Sequence, residues 1–289
     1  MKVGFIGFGN LGSAIVRRMA SLGVEVIVYN RTKSKVKDFK AQVYHGLVDH
    51  PYDLLEEVDI VFINVFDSFA SREVIFGENG LVKGNLKDKT IVDTTTNHYA
   101  YVKEAYETLK GLGAKYLDAP VLGSVIPATK GELIMLVGGD EDVFKSVEEV
   151  LKLFTKERIY LGPVPNGTYG KLINNIVLGA FMDAIAQAIG IGESVGLPKD
   201  TILKFLEIGA GNSYILNVKK QKLLQEDFSP QFSVKAIYKD LHYVQDLLKD
   251  FGLFSFSLGA VKETYGLAIK SNMEDLDFSA IYNLYKKNL

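Results

Sequence analysis

A turn of spaced glycines near the start of the chain constrains its fold more than any other feature. Residues 3–6 form an apolar run typical of a buried strand, residues 13–22 have the pattern of a helix, and a second strand is predicted at Glu25–Tyr29. The glycines therefore lie where a strand becomes a helix, which is where the N–H groups of a helix start can bind a pyrophosphate. An ordinary structural turn is the alternative. In this setting we predict dinucleotide binding by Gly7, Phe8, Gly9, Asn10, Leu11 and Gly12.

The residues that follow the second strand indicate which dinucleotide binds. Sites selective for NAD usually place an acidic residue there to hold the ribose 2′-hydroxyl, and this chain has none. Arg31 instead offers a planar guanidinium suited to a 2′-phosphate. A solvated basic turn is the alternative. The position of this segment, directly after the strand–turn–helix–strand pattern of a dinucleotide site, favours phosphate binding. We predict NADP as the preferred cofactor and NAD as a second one, with contacts from Asn30, Arg31, Thr32 and Lys35.

Length, charge and composition exclude several classes of function. A chain of 289 residues exceeds the usual size of one domain, so two domains are expected. The net charge of -2 provides no bulk attraction for nucleic acid or an anionic membrane. The absence of cysteine excludes disulfides and thiolate chemistry, and the four histidines lack metal-ligand spacing, so no metal site is predicted.

The apolar segments predict neither a leader sequence nor a membrane span. Glycines interrupt the N-terminal apolar residues, which the first strand accounts for. The longest apolar stretch, residues 176–192, contains Asp183 and Gln187 and is shorter than a membrane span requires. We therefore expect a cytoplasmic protein.

The first half of the chain alternates between strand-like and helix-like segments. This alternation predicts a mostly parallel, doubly wound sheet of the Rossmann type, with further strands at residues 59–65, Thr90–Asp93, 115–117 and 133–138. Ligands of such sheets bind at the carboxyl ends of the strands, where the segments containing Asn64, Val65 and Thr96 are expected to lie.

Helical patterns replace the strands beyond residue 162. The predicted organisation is a dinucleotide-binding domain at residues 1–162 and an all-helical domain at residues 163–289. A long apolar helix is predicted at residues 168–195, followed by helices at Lys199–Ile208, 213–225, 234–251, Phe256–Lys270 and 278–287. Because a helix that is apolar on most sides needs burial, we expect a homodimer or homotetramer.

Three segments carry the remaining candidates for chemistry. Lys171 and Asn175 share one face of the long helix, and partial burial there would lower the pKa of the amine toward the range useful for proton transfer. A surface lysine is the alternative. The segment Gly123-Ser124 has small residues whose N–H groups could hold a carboxylate, although a plain surface turn fits equally well. Lys239 and Asp240 are neighbours in a helix, where such pairs are usually solvated.

Taken together, these segments resemble the β-hydroxyacid dehydrogenases, a family that includes 3-hydroxyisobutyrate dehydrogenase and tartronate, glyoxylate and succinic semialdehyde reductases. The resemblance covers essentially the whole chain and follows the family's order of motifs. They are the glycine turn, Asn30-Arg31-Thr32, Asp93-Thr94-Thr95-Thr96, Asp118-Ala119-Pro120-Val121, Gly131, Gly138-Gly139, the segment from Gly167 to Asn175, and Lys239-Asp240-Leu241.

The resemblance implies a role for each matching residue. It implies that Lys171 is the general acid and base and that Asn175 orients the lysine and the substrate. It places a carboxylate substrate against Leu122, Gly123, Ser124 and Phe232, and the nicotinamide end of the cofactor near Thr96 and Lys239. Hydride would pass between NADP(H) and a small β-hydroxyacid or its semialdehyde.

Two departures from the family pattern affect the expected substrate. Leu122 stands where members commonly have serine, and Phe66 stands where they often have proline or a small residue. Both changes favour a longer or more apolar acid. The alternatives are an imine reductase of the same fold, whose members typically lack a lysine at position 171, and a non-catalytic NADP-binding oligomer. Phosphogluconate dehydrogenases are related but usually have a larger helical domain.

Overall fold

The chain divides into two compact units, Met1–Lys171 and Leu172–Leu289. The computed structural model describes residues 1–37 and 44–286. The division falls inside one long helix, whereas the sequence places a domain boundary before that helix, between residues 162 and 163. The helix starts in the first unit because its first turn is hydrogen-bonded to a strand of that unit.

A nine-stranded sheet forms the centre of the first unit within the described residues. Its strands are β1 (Lys2–Ile6), β2 (Glu25–Tyr29), β3 (Gly46–Leu47), β4 (Ile60–Ile63), β5 (Thr90–Asp93), β6 (Lys115–Asp118), β7 (Val121–Leu122), β8 (Leu133–Gly139) and β9 (Thr155–Tyr160). The strands run parallel in the order β3-β2-β1-β4-β5-β6, and β8 is antiparallel to β6 and β7 and parallel to β9. This order is that of a dinucleotide-binding sheet, so the predicted doubly wound fold is confirmed.

Helices cover both faces of this sheet. They are α1 (Asn10–Ser21), α2 (Ser34–Lys37), α3 (Leu54–Glu57), α4 (Ser68–Phe76), α5 (Tyr99–Gly111), α6 (Val125–Lys130) and α7 (Glu141–Leu151). Phe5 and Ile6 are adjacent in β1, so their side chains point to opposite faces, and each lies in a different hydrophobic cluster. Burial on both faces explains why the central strands are apolar without alternation.

The second unit is helical throughout its described residues, 172–286, apart from a single β-bridge between Ser233 and Asp277. The long helix α8 (Asn166–Ser194) leads into it, followed by α9 (Lys199–Ile208), α10 (Tyr214–Gln225), α11 (Val234–Asp250) and α12 (Phe256–Lys270). The helix predicted at residues 278–287 is instead a 3-10 helix, Phe278–Leu284, and Lys287 lies outside the described residues. Its first five side chains are all buried. A 3-10 helix is wound more tightly than an α-helix.

Helix α8 lies within two residues of its predicted bounds, 168–195. It has 29 residues, and by length and composition alone it could cross a membrane, so the prediction that its apolar stretch is too short was wrong. Its polar residues are nevertheless integrated into the second unit: Asp183 is buried and accepts hydrogen bonds from Tyr285 (2.7 Å) and Gln187 (2.8 Å). Such contacts are those of a core helix in a helical domain.

Candidate active site

The glycine turn has the backbone geometry that its sequence predicts. Gly7 adopts a φ of 102°, and a Cβ there would overlap the backbone carbonyl of Asn64. A Cβ on Gly12 would overlap the Gly7 carbonyl, so this glycine lets α1 pack directly on the turn. By contrast, nothing lies within 4 Å of a Cβ built on Gly9, the residue that precedes α1. Two glycines thus close the turn, and the third leaves its outer side open to an anion.

Asn30 connects the glycine turn to the basic segment after β2. Its side-chain oxygen accepts a hydrogen bond from the Phe8 N–H (3.0 Å), and its amide donates to the Thr32 carbonyl (2.8 Å). Arg31, Thr32 and Lys35 are exposed beside it. Asn30 therefore holds the two cofactor segments together, while the exposed cation of Arg31 is the group available for a phosphate.

The loops after β4 and β5 are joined by side-chain hydrogen bonds. Asn64 donates to the Thr94 hydroxyl (2.9 Å), and the Val65 N–H donates to the Thr95 hydroxyl (3.1 Å). These bonds fix the carboxyl ends of two neighbouring strands, where the sequence analysis placed Asn64, Val65 and the half-buried Thr96.

Lys171 lies in the second turn of α8 and is almost completely buried, with 9% of its surface exposed. Its ammonium donates a hydrogen bond of 2.9 Å to the carbonyl of Val121. Val121 is the first residue of β7 and immediately precedes Leu122, Gly123 and Ser124. The structure therefore brings the predicted acid and base to the segment predicted to bind the substrate carboxylate, although 50 residues separate Lys171 from Val121 in the chain.

The segment after β7 requires a glycine at its centre. Gly123 has a φ of 112°, a conformation that L side chains rarely adopt, and a Cβ there would come within 2.8 Å of Leu133. Leu122 is half-buried and Ser124 precedes α6. The exposed N–H groups of such a turn can face an anion.

Two buried carboxyl groups stand side by side at the ends of β5 and β6. Asp93 and Asp118 are paired in register, and both are almost completely inaccessible. Asp93 accepts from Ser71 (2.7 Å), Asn97 (2.8 Å) and the Thr95 N–H (2.9 Å). Burial nevertheless raises the pKa of Asp93, and it raises the pKa of Asp118 to about 7 despite hydrogen bonds from Thr168. Burial therefore favours the protonated form of both carboxyl groups.

In the second unit, Asn175 is held by a residue that the sequence analysis considered a solvated neighbour of Lys239. The Asn175 amide is buried and donates a 2.6 Å hydrogen bond to Asp240, which is also buried. Asn174 donates to its oxygen (3.0 Å), so the orientation of the Asn175 side chain is fixed. The Lys239 ammonium lies 3.0 Å from the other oxygen of Asp240, which makes this carboxylate the centre of a lysine–aspartate–asparagine chain.

Phe232 is positioned by another buried carboxylate of the same unit. Asp277 accepts from the Lys219 ammonium (2.8 Å) and from the N–H groups of Gln231 (3.1 Å) and Phe232 (3.4 Å). Burial lowers the pKa of Lys219, and the ion pair with Asp277 opposes that shift. The segment that carries Phe232 is thus fixed from inside the helical unit, with its ring edge-on to Phe278.

Comparison with known proteins accounts for both units. Residues 2–162 match the family model described as the NAD binding domain of 6-phosphogluconate dehydrogenase, and residues 166–285 match the one described as NAD-binding of NADP-dependent 3-hydroxyisobutyrate dehydrogenase. The chain belongs to the β-hydroxyacid dehydrogenase family. Members of this family are NAD(P)-dependent oxidoreductases that act on CH–OH groups.

Individual relatives of this chain differ in length and in the names they carry. The cytokine-like nuclear factor N-PAC of Xenopus tropicalis is 32% identical over 98% of this chain, which spans 53% of that protein. Glyoxylate/succinic semialdehyde reductase 1 of Arabidopsis thaliana is 29% identical, with 99% of each chain covered. The fold matches that of 3-hydroxyisobutyrate dehydrogenase from Salmonella typhimurium with a TM-score of 0.90 and 23% identity, covering 98% of this chain and 99% of that one. The chain thus spans about half the length of the N-PAC relative and the full length of the reductase.

Several residues of this candidate site were missed from the sequence. Asp118 and Asp240 were noted only as parts of motifs, and Thr168 only as the predicted start of the long helix. Each acts through a hydrogen bond to a residue at least 50 positions away, and no local spacing signals such a bond. Across residues 1–37 and 44–286, no group of three or more histidine or acidic side chains is arranged to hold a metal ion.

Proposed function

We propose that the chain catalyses reversible hydride transfer between NADP(H) and a small β-hydroxyacid or its semialdehyde. The observation that carries the proposal is the position of Lys171. Its amine is buried, hydrogen-bonded to the Val121 carbonyl, and next to the loop of Gly123 and Ser124. A cation so placed can exchange a proton with a substrate oxygen whose carboxylate is held by that loop.

The proposed reduction moves two electrons and two hydrogens. When bound, NADPH would supply a hydride for the carbonyl carbon; as the C=O electron pair moves onto oxygen, the Lys171 ammonium would give that oxygen its proton. The products are the hydroxyacid, oxidised cofactor and a neutral amine, which takes a proton from solvent. In the oxidation each step reverses, and the neutral amine removes the hydroxyl proton.

Asn175 supports this chemistry through its fixed orientation. It lies four residues after Lys171 on α8, and Asp240 holds its amide. We propose that Asn175 orients the reacting oxygen while the backbone N–H groups of Gly123 and Ser124 hold the carboxylate. Positioning of this kind supplies a large part of the rate of a two-substrate reaction.

The direct test is NADPH oxidation with a panel of semialdehydes, namely glyoxylate, succinic, tartronate and methylmalonate semialdehyde, beside a panel of cyclic imines. Turnover of a semialdehyde that is lost in Lys171→Ala supports the proposal. Turnover of imines alone would identify an imine reductase. Turnover by Lys171→Ala at the wild-type rate would contradict the role given to the lysine.

A second candidate function follows from the relatives named as nuclear factors. Their name describes no reaction, and this chain covers only about half of the relative compared above. In this alternative the chain binds NADP as an oligomeric scaffold and does not catalyse. It predicts NADPH binding with no turnover on either panel, so the same assay separates the two candidates.

We also propose that NADP is preferred over NAD, with Arg31 binding the 2′-phosphate. The support is that residues 30–37, which directly follow β2, contain no acidic residue and that Arg31 is exposed beside the glycine turn. Arg31→Ala should weaken NADPH binding about tenfold and leave NADH binding nearly unchanged, since a charge-assisted pair is worth roughly 1.5–3 kcal/mol. Lys145→Ala, an exposed lysine of α7, is the control, and an equal loss of both cofactors would contradict the assignment.

We further propose a homo-oligomer that forms through α8. Ile173, Val177, Phe181 and Ile191 lie on one face of the helix, and each is at least 46% exposed. An exposed apolar stripe on a long helix is typical of a surface that another copy covers. Light scattering on a gel-filtration column should give a dimer or tetramer, and Phe181→Glu should shift it toward the monomer. A monomeric wild type would contradict this proposal.

A further inference from the structure

The carboxylate of Asp118 caps the start of α8 from the sheet. Asp118 is the last residue of β6, and Thr168 is the third residue of the helix. One oxygen of Asp118 accepts from the Thr168 N–H and the other from the Thr168 hydroxyl, each at 2.7 Å. The first N–H groups of a helix have no partner inside the helix, so this strand residue supplies one that the preceding loop usually supplies.

Two glycines bring the helix start into direct contact with the strands. A Cβ on Gly138 of β8 would come within 2.7 Å of the Gly167 nitrogen. A Cβ on Gly167 would overlap the Asp118 carbonyl and come within 2.8 Å of the Leu136 carbonyl. No side chain therefore separates the first turn of α8 from the backbone of β6 and β8, and the position of that turn is set by rigid backbone.

The same short segment of chain holds the helix a second time, through Lys171. Asp118 bonds to Thr168, and Val121, three residues after Asp118, accepts the hydrogen bond of Lys171, three residues after Thr168. The two attachments have the same spacing: the acceptors Asp118 and Val121 are three residues apart, and so are the donors Thr168 and Lys171. Thr168 and Lys171 also lie on the same face of α8 because they are three residues apart.

We infer that Asp118 is a positioning residue for Lys171, acting through Thr168. By fixing the first turn of α8, the Asp118–Thr168 clamp sets where the Lys171 ammonium stands relative to the Val121 carbonyl and the Gly123–Ser124 loop. Asp118 itself does not contact the reacting atoms. This inference rests on the proposed function of Lys171, and it adds the requirement that the clamp be intact for proton transfer.

Variants at Thr168 test the clamp, because Asp118→Ala removes both hydrogen bonds and endangers folding. Thr168→Val keeps the shape and the backbone N–H but removes the hydroxyl, so one buried oxygen of Asp118 loses its partner. Thr168→Ser restores a hydroxyl. We expect Thr168→Val to lower kcat by about ten- to a hundredfold, the size of effect that a small misplacement of a catalytic group produces. The KM for NADPH should be unchanged, and Thr168→Ser should recover most of the loss.

The accessibility of the Lys171 amine to a chemical label reports on the Asp118–Thr168 clamp without requiring turnover. Reductive methylation of the intact protein with formaldehyde and a borohydride, quantified by peptide mass spectrometry, gives the labelling rate of each lysine. Lys171 should label slowly in the wild type and in Thr168→Ser, and severalfold faster in Thr168→Val. Lys89, hydrogen-bonded to the Val58 carbonyl, and Lys219, buried against Asp277, are internal controls for general loosening.

The outcomes separate the clamp from the proposed function. Faster labelling of Lys171 with unchanged rates at Lys89 and Lys219, together with a lower kcat, supports the positioning role. If Thr168→Val keeps the wild-type kcat and labelling rate, the clamp is overturned while the proposed function stands. If the wild type reduces none of the semialdehydes, the proposed function fails, and selective labelling of Lys171 in Thr168→Val still supports the clamp geometry.

Discussion

The two units of this protein position their candidate site residues in different ways. In the first unit the cofactor turn is a matter of backbone geometry, and its residues, Gly7 to Gly12, lie together in the sequence. In the second unit Asn175 is oriented by Asp240, which lies 65 residues away, and Phe232 by the buried pair of Lys219 and Asp277. Backbone requirements leave a local pattern in the sequence, whereas buried side-chain partners leave none.

The largest effect should come from a side chain placed in the glycine turn. Gly7→Val forces a β-branched residue into a positive φ and against the Asn64 carbonyl. It should reduce the free energy of unfolding by on the order of 4 kcal/mol or more. Denaturant unfolding followed by circular dichroism measures this change.

Gly9→Ala is the matched control, because open space surrounds its Cβ position. Its unfolding free energy should stay within about 0.5 kcal/mol of the wild type, while NADPH binding weakens at least roughly tenfold, because the methyl group occupies the approach of the phosphate. If Gly7→Val and Gly9→Ala were equally stable, Gly7 would not be the glycine that the fold of the turn requires.

A pH-dependent loss of stability should come from Asp118. Its pKa in the folded protein is about 7, against an ordinary value of 3.8, so between these values the folded state holds a proton that the unfolded chain has released. Raising the pH through this range therefore destabilises the fold, by at most about 4 kcal/mol. The stability curve should level off above the folded pKa.

Asp118→Asn isolates this contribution. An amide can accept from the Thr168 N–H and donate to the Thr168 hydroxyl, so it keeps the clamp and removes the charge. The difference in unfolding free energy between this variant and the wild type should grow as the pH rises from about 4 to about 7. Asp142→Asn, at an exposed position of α7, serves as the control. A constant difference across that range would show that Asp118 does not titrate as its burial requires.

A smaller effect is expected from the side-chain network of the second unit. Asp240→Leu leaves the buried Asn175 amide without its acceptor, which should cost about 1–3 kcal/mol of unfolding free energy and lower kcat/KM about tenfold or more. Asp240→Asn keeps an acceptor for Asn175 and should retain more of both. Steady-state kinetics and thermal unfolding of the two variants decide the point, and identical behaviour would mean that Asn175 does not depend on this partner.

The sequence was most informative for strands that are buried on both faces of the sheet and for helices with a clear apolar pattern. The bounds of β2, β5, α9 and α12 were predicted correctly, because continuous apolar runs mark strands buried on both faces and a helical pattern of apolar residues marks the helices. The glycine turn could also be predicted, since the steric requirements of Gly7 and Gly12 follow from their place between strand and helix.

Other elements could not be predicted because their conformation depends on contacts with residues far away in the sequence. Strand β9 was missed since Lys156, Glu157 and Arg158 interrupt its apolar pattern, and its pairing with β8 decides its conformation. Helix α8 starts two residues earlier than predicted, with its first turn capped by Asp118 from a distant strand. The position of the Lys171 amine likewise depends on Val121, which only the folded sheet brings to it.

The most direct test of the role of Lys171 is the single-turnover rate of hydride transfer from NADPH to whichever semialdehyde the wild type reduces, measured in Lys171→Ala, with NADPH affinity measured by fluorescence in the same preparation. Lys145→Ala provides the surface control. If Lys171 is the general acid, the rate should fall by about a hundred- to ten-thousandfold, the usual contribution of such a group, while the affinity for NADPH is preserved. A rate close to that of the wild type would contradict the central role given to Lys171.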